Sequence, residues 1–243
     1  MTTMVADFRL ADGIDIDQLR SDYQRDGHVR IGPFLTDAAA RALAAHLDTR
    51  EDWRIVLNSD EKLFEIDRPT AQSMTPQQWG ALNQAVHEAA RHGFQFRYAS
   101  IRVPDEEQAR RQSPHLLDAF VRFMAGPEVL ALVRAITGSE AIGFADGQAT
   151  RYVSGDFLTG HDDGVAGKNR HAAYVFGLTK GWRTEWGGLL MFHGADGGFS
   201  GRVPAFNRLD LFRVPQLHSV SYVAPSAGAA RTSVTGWFRS AMG

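Results

Sequence analysis

Along the first 140 residues apolar side chains recur mostly at helical spacing. Over residues 15–25 the apolar and aromatic positions fall three to four apart, the stripe a helix turns toward a core. Thr36 offers a side-chain oxygen to the free amides that open the Ala-rich run 37–49. Thr75-Pro76 begins another helix, because proline at the first helical position lacks only an amide that would be unpaired anyway. Its apolar positions Trp79, Leu82 and Val86 lead to a stop near Gly93. Ser113-Pro114 and Gly126-Pro127 start two more helices, carrying Leu116, Leu117, Phe120 and Phe123, then Val129, Leu130, Val133 and Ile136. Short strands are predicted between the helices at 29–31, 53–57, 63–66 and 94–103. After Gly138 the pattern changes to short β-type runs separated by Gly, Pro and Asn, at 148–153, 172–178, 188–193, 208–214, 219–223 and 232–238. That spacing predicts a sandwich or barrel and not alternating βαβ units.

Composition narrows the classes that remain. A chain of 243 residues, 44% hydrophobic and 22% charged with a net charge of −2, suits a soluble globular protein with a sizeable core. All-β barrels of this size often form one domain, so one domain over 1–243 is expected, with a helix-rich supporting region 1–140 and a β-rich core 141–240. The balanced charge gives no electrostatic ground for nucleic acid or a membrane surface. Arg110-Arg111, the densest basic spot, reads as a solvated helix face. There is no cysteine, which removes disulfides, zinc–thiolate sites, iron–sulfur clusters and a cysteine nucleophile. Any metal held by this chain must be bound through His, Asp, Glu or backbone oxygen. The start of the chain is acidic and lacks a long apolar run, so no signal peptide is expected; no segment approaches the ~18 apolar residues of a membrane span. The cytoplasm is the expected location.

Within this frame three residues stand out. In an extended segment the side chains at i and i+2 share a face, so His161 and Asp163 can present an imidazole nitrogen and a carboxylate oxygen to one metal. With nine histidines in the chain, the triplet alone fits a solvated loop histidine beside two acids equally well. His218, 55 residues after Asp163, supplies a third ligand. Two histidines and a carboxylate on one side of a metal leave positions open, the geometry of non-haem iron(II) oxygenases. His171 and His193 compete for that role and complete no such spacing. Arg231 follows 13 residues after His218 at the head of a strand pattern whose alternation puts Arg231, Ser233, Thr235 and Trp237 on one face. A guanidinium at the floor of a barrel clamps a carboxylate through two hydrogen bonds. Arg239 is the rival for this role, at the end of the chain.

These pieces resemble the 2-oxoglutarate/iron(II) oxygenase superfamily, specifically its prolyl 4-hydroxylase-like branch, over residues 148–239. The resemblance rests on an ordered set: Arg151-Tyr152-x-x-Gly155-Asp156-Phe157-Leu158-x-x-His161-x-Asp163, Leu178-Thr179-Lys180-Gly181-Trp182, Trp186-Gly187-Gly188-Leu189, Asn207-Arg208-Leu209-x-Leu211-Phe212, His218-x-Val220 and Arg231-x-Ser233-x-Thr235-Gly236-Trp237-Phe238. It implies an α+β fold built on a double-stranded β-helix, or jelly roll, with supporting N-terminal helices. It also implies that His161, Asp163 and His218 bind Fe(II), and that Arg231 meets the distal carboxylate of 2-oxoglutarate. Tyr152 would help bind that carboxylate, and Ser233 would assist Arg231. Two departures are visible. Gly177 stands where many prolyl hydroxylases have a tyrosine, which predicts extra room beside the co-substrate. The interval from His218 to Arg231 is long, with a loop insertion at 224–228. Asp163, in place of Gly or Ala, argues against a halogenating variant.

The activity implied is hydroxylation of an unactivated C–H bond with consumption of O₂ and 2-oxoglutarate, release of succinate and CO₂, and ascorbate as a possible supporting reductant. The substrate implied is a prolyl residue in a protein or peptide, or else a free amino acid or small metabolite. Arg97, Tyr98 and Arg102 on a predicted strand, and Arg170 and Trp182 after the iron motif, are candidates to line the substrate cleft. Two other readings stay open at this point: a cupin-like metal-dependent isomerase or dioxygenase that ignores 2-oxoglutarate, and a non-catalytic sensor of the same fold.

Overall fold

A computed structural model describes residues 7–59 and 61–240; the first six residues of the segment read as lacking a signal peptide lie outside the described residues. The N-terminal half alternates helices with strands: α1 (Ile16–Asp26), β1 (His28–Ile31), α2 (Asp37–Thr49), β2 (Arg54–Ser59), β3 (Lys62–Ile66), α3 (Arg68–Ser73), α4 (Pro76–Ala89), β4 (Phe96–Arg102), α5 (Glu107–Gln112), α6 (Leu116–Met124) and α7 (Pro127–Thr137). The C-terminal half is β5 (Ile142–Ala145), β6 (Gln148–Tyr152), β7 (Phe157–His161), β8 (Arg170–Gly177), β9 (Leu190–His193), β10 (Phe199–Arg202), β11 (Arg208–Arg213), β12 (His218–Val220) and β13 (Arg231–Ser240). Local chemistry sets the helix ends. Asp15 accepts from the Gln18 amide before Gly27 closes α1 in the left-handed region at φ 75°. Thr75 and Gln78 form a reciprocal capping box with Pro76 behind them. Thr36 starts α2 as expected, yet its hydroxyl makes no capping hydrogen bond.

All the strands pair antiparallel into one curled sheet in the order β1-β11-β8-β13-β6-β4-β7-β12-β9-β10, with β2 and β3 extending from β4, and β5 beside β13. The curl is the double-stranded β-helix, and it makes the fold α+β as the resemblance implied. The alternation of β13 is the clearest case of sequence dictating packing: Val234 and Phe238 enter the main core, while Arg231, Thr235 and Trp237 face a cavity. That core joins helices to sheet through Phe34, Leu43, Leu117, Phe120, Val133, Phe176 and Leu211, each fully buried. Phe120 stacks on Phe176 at 5.1 Å between ring centroids. Burying a side chain of this size stabilises by about 1.5–3 kcal/mol.

Three strands escape the sequence pattern. β10 reads Phe-Ser-Gly-Arg and is mostly exposed, so it lacks the apolar alternation that signals a strand; its pairing with β9 alone makes it one. β5 and β7 are short, and β7 carries its glycine beside a histidine. The short helices α3 and α5 also went unpredicted, being polar single turns with too few apolar positions to show a period. The N-terminal half contributes β1 to β4 to the same sheet as the C-terminal strands. Among the described residues no helix is long and apolar enough to cross a membrane.

Candidate active site

β7 and β12 are antiparallel neighbours, and their register sets His161 directly opposite His218. Asp163 reaches the same point by a different route from the one alternation suggests. β7 ends at His161, and Asp163 sits in the left-handed region at φ 62°, a conformation aspartate tolerates better than most residues. The turn is held by the Asp162 carboxylate, which accepts from the Gly164 amide at 2.9 Å, and by the Asp163 carbonyl, which accepts from the Val165 amide at 2.9 Å and from Arg170 Nη1 at 3.1 Å. A turn and not a shared strand face brings the carboxylate to the histidines.

One ligating atom from each of the three residues lies within 4.8 Å of the others. His161 Nε2 is 3.4 Å from Asp163 Oδ1, and His218 Nε2 is 3.5 Å from Asp163 Oδ2. Each imidazole has its Nδ1 against a backbone carbonyl, His161 on Thr159 at 3.1 Å and His218 on Gln216 at 2.8 Å. A carbonyl only accepts, so Nδ1 carries the proton and the Nε2 lone pair points to the shared centre, the orientation a metal-bound histidine needs. Burial, and then the neighbouring His161, pull the His218 imidazole down to about 4, which keeps it neutral. Burial pushes the Asp163 carboxyl up, but His161 and His218 outweigh it and hold it below the usual carboxylate range. Two imidazole nitrogens and one carboxylate oxygen that converge on one point fit a divalent iron.

The triad lines a cavity of about 390 Å³. One wall is an aromatic row on and just before β4. Phe94, Phe96 and Tyr98 follow one another at 5.5 and 5.4 Å between centroids, and Tyr98 stacks on Tyr152 at 5.0 Å. Phe94 is half exposed and 5.2 Å from the His161 ring. The Asn58 side chain clips this row in place by donating to the Phe94 carbonyl and accepting from the Phe96 amide, while the buried Gln95 side chain donates to the Asn58 carbonyl. The opposite wall carries Arg170, whose guanidinium lies 3.6 Å from the centroid of the Trp237 ring and whose Nε is buried without a hydrogen-bond partner.

Arg231 lines the same cavity, 4% exposed, its guanidinium 4.8 Å from the centre of the Tyr152 ring. Among the described residues no carboxylate comes within ion-pairing distance of it. A buried guanidinium without a counter-charge is costly, and one that lines a cavity is set to receive an anion. Burial raises the Tyr152 hydroxyl far above its ordinary value, so it is a phenol and a hydrogen-bond donor.

The remaining sequence candidates fall outside this arrangement or take other parts in it. Ser233 is buried with its hydroxyl 2.9 Å from that of Thr150, and it lies behind the principal cavity. His171 bonds Ser240 and His193 bonds Ser219, each at 2.8 Å, away from the triad. Arg239, the rival of Arg231, is buried and engaged by Asp146 at 3.1 Å. Tyr98 lines the cavity, whereas Arg97 pairs with Asp156 at 2.8 Å and Arg102 with Glu65 at 3.4 Å. Trp182 packs in a core with Tyr152 and Val223. The room expected beside Gly177 is filled, since a Cβ there would lie 2.2 Å from the Ala205 carbonyl. Phe94, Phe96 and Gln148 were not singled out from the sequence; the period-2 aromatic spacing of the first two was their available signal.

Comparison with known proteins adds three facts. Residues 147–239 match the family model of the 2OG-Fe(II) oxygenase superfamily. No curated protein matches the sequence. Among solved structures, a Pseudomonas putida prolyl-4-hydroxylase superposes with a TM-score of 0.59 at 22% identity, covering 93% of this chain and 100% of that one. A Trichoplax adhaerens prolyl hydroxylase in complex with a peptide fragment of the hypoxia inducible factor oxygen degradation domain gives 0.59 at 13%, covering 93% and 89%. The alpha-ketoglutarate dependent epimerase SnoN from nogalamycin biosynthesis gives 0.59 at 16%, covering 93% and 84%. At these identities the structural likeness establishes the fold, and the family match favours oxygenase chemistry over the cupin-like and sensor readings. Residues 147–239 thus match the 2OG-Fe(II) oxygenase superfamily, and the chain shares the fold of prolyl-4-hydroxylases, which together support an Fe(II)- and 2-oxoglutarate-dependent oxygenase.

Proposed function

We propose that this enzyme hydroxylates an unactivated C–H bond of a prolyl residue in a peptide, with His161, Asp163 and His218 holding Fe(II) and Arg231 anchoring 2-oxoglutarate. The observation that carries the reading is a convergent two-histidine, one-carboxylate triad in the same cavity as a buried Arg231 that has no counter-charge. Bound iron would supply the oxidising chemistry, coupling decarboxylation of 2-oxoglutarate to attack on the substrate C–H bond. The protein's part is positioning. Arg231 takes the distal carboxylate in a charge-assisted pair, and the Tyr152 hydroxyl donates beside it. The Thr159 and Gln216 carbonyls keep both imidazoles turned inward. The aromatic row excludes water from one side, and Phe94 offers a flat apolar face next to His161 for a pyrrolidine ring. Residues 1–140 thus shape the substrate cleft, since they contribute Phe94, Phe96 and Tyr98. Exposed Val165 and Leu217, one lining the cavity and the other beside Gly160 of β7, suit the flanks of a peptide.

One observation favours a second reading. Arg170, with its unpartnered Nε at the cavity wall, would pair with the carboxylate of a free amino acid or small acid. The deciding experiment is anaerobic titration of the Fe(II)-loaded protein with 2-oxoglutarate, followed by turnover with prolyl peptides and with free proline. A visible charge-transfer band that weakens in Arg231→Ala, and a one-oxygen mass gain on the peptide, are expected. Iron binding without any band would overturn the site assignment. Oxygen incorporation into free proline alone would favour the Arg170 reading.

A further inference from the structure

Behind Arg231 lies a cavity of only about 10 Å³ whose walls include Arg30, Arg202, Asp210 and Arg231. Asp210 is the acid in this group, 5% exposed on the inner side of β11. Its carboxylate does not pair with Arg231. Arg30, directly opposite it on β1, holds both oxygens, Nε to Oδ1 and Nη2 to Oδ2, each at 2.8 Å. The two charges act on Arg231 in opposite senses: Asp210 strengthens its hold on the proton and Arg30 weakens it. Val175 separates Asp210 from β13 in the register, and Gly177 puts no side chain into this corner. Three guanidinium groups therefore line a cavity with one buried carboxylate, and the bidentate fork of Arg30 has it.

We infer that Arg30 is a positioning residue for the co-substrate: by gripping Asp210 it keeps an internal carboxylate off Arg231, so that the buried cation stays available to the distal carboxylate of 2-oxoglutarate. This rests on the reading of Arg231 as the 2-oxoglutarate anchor. Without the Arg30 charge, Asp210 is a buried carboxylate in a cavity that also holds Arg231 and Arg202, and a charge-assisted pair with Arg231 is the outlet that would cost the co-substrate its anchor. The co-substrate then competes with the protein's own acid. Its apparent affinity falls in proportion to the fraction of molecules in which Arg231 is still free, about tenfold if nine in ten are captured.

The test is calorimetric titration of 2-oxoglutarate into anaerobic Fe(II)-loaded protein, with melting curves recorded for every variant. Arg30→Met should raise Kd about tenfold, and Arg30→Met/Asp210→Asn should return it to within about threefold of the parent. Arg30→Lys, which keeps the charge but loses the fork, should fall between. Asp210→Asn alone, which does not depend on Arg30→Met folding, should bind 2-oxoglutarate at least as tightly as the parent. A double variant as weak as Arg30→Met, an unaltered Arg30→Met, or a weakened Asp210→Asn would each overturn the inference. Arg231→Ala separates the two levels. If it weakens binding while Arg30→Met does not, only the role of Arg30 falls; if it leaves binding unchanged, the anchor itself is wrong.

Discussion

At the scale of single residues, charge burial separates side chains that serve the site from those that serve the fold. His161 and Asp163 are held by a turn and by backbone carbonyls, and an open metal site is no folding staple. His161→Ala and Asp163→Ala should therefore lose iron, measured as metal per protein after desalting, with His161→Ala melting close to the parent and Asp163→Ala somewhat lower because alanine tolerates φ 62° less well. Arg97 and Asp156 give the opposite case. Both are buried, paired at 2.8 Å, and Asp156 also accepts from the Val153 amide at 2.9 Å. Asp156→Ala leaves a buried guanidinium without its counter-charge, so urea titration should show a loss of about 3–5 kcal/mol. Asp156 belongs to the segment that the resemblance matched, yet its place is in the scaffold below the site.

At the scale of elements, the tight approaches of the β-helix demand particular residues. Gly187 follows the short 3-10 turn Thr184–Trp186 at φ 70°, and a Cβ there would lie 2.0 Å from the Tyr222 carbonyl. Gly187→Ala combines that clash with a left-handed backbone and should cost at least about 1–3 kcal/mol by chemical denaturation. Gly236 on β13 is as tightly placed, against the Asp146 carbonyl. Both glycines were visible in the matched motifs, but why they are glycines was not: the carbonyls that crowd them come from residues 35 and 90 positions away. Strand β4 shows the same division. Its aromatic alternation could be read from the chain, whereas the Asn58 and Gln95 clip that aims it belongs to the pairing of β2 with β4.

For the molecule as a whole, partly buried histidines tie stability to pH. Burial and then Arg202 lower the His28 imidazole, which stacks on Phe192 at 4.0 Å between ring centres. Burial and then Arg50 lower His46. With folded values below the unfolded value of about 6.5, the unfolded chain binds these protons more readily. The stabilisation they allow is complete above that value and is lost as pH falls through the lowered folded ones. The melting temperature should drop as pH falls below about 6.5, and His28→Gln/His46→Gln should flatten that drop. A double variant with the parent's pH profile would exclude these two groups as its source.

Sequence alone determined the class of chemistry and the order of its parts. Absence of cysteine limited the metal ligands, and periodicity separated helices from strands. His161, Asp163, His218 and Arg231 were named because their residue types and spacing answer to one reaction. Tertiary structure decided everything that depends on residues far apart in the chain. It placed Asp163 by a turn where alternation suggested a shared face, closed the space beside Gly177 with the Ala205 carbonyl, engaged Ser233 with Thr150, and buried Arg239 against Asp146. It also set Arg30 on Asp210 behind Arg231. The physical reason is range: caps and alternation act over a few residues, whereas the partner of a buried charge is set by strands that meet only when the sheet curls.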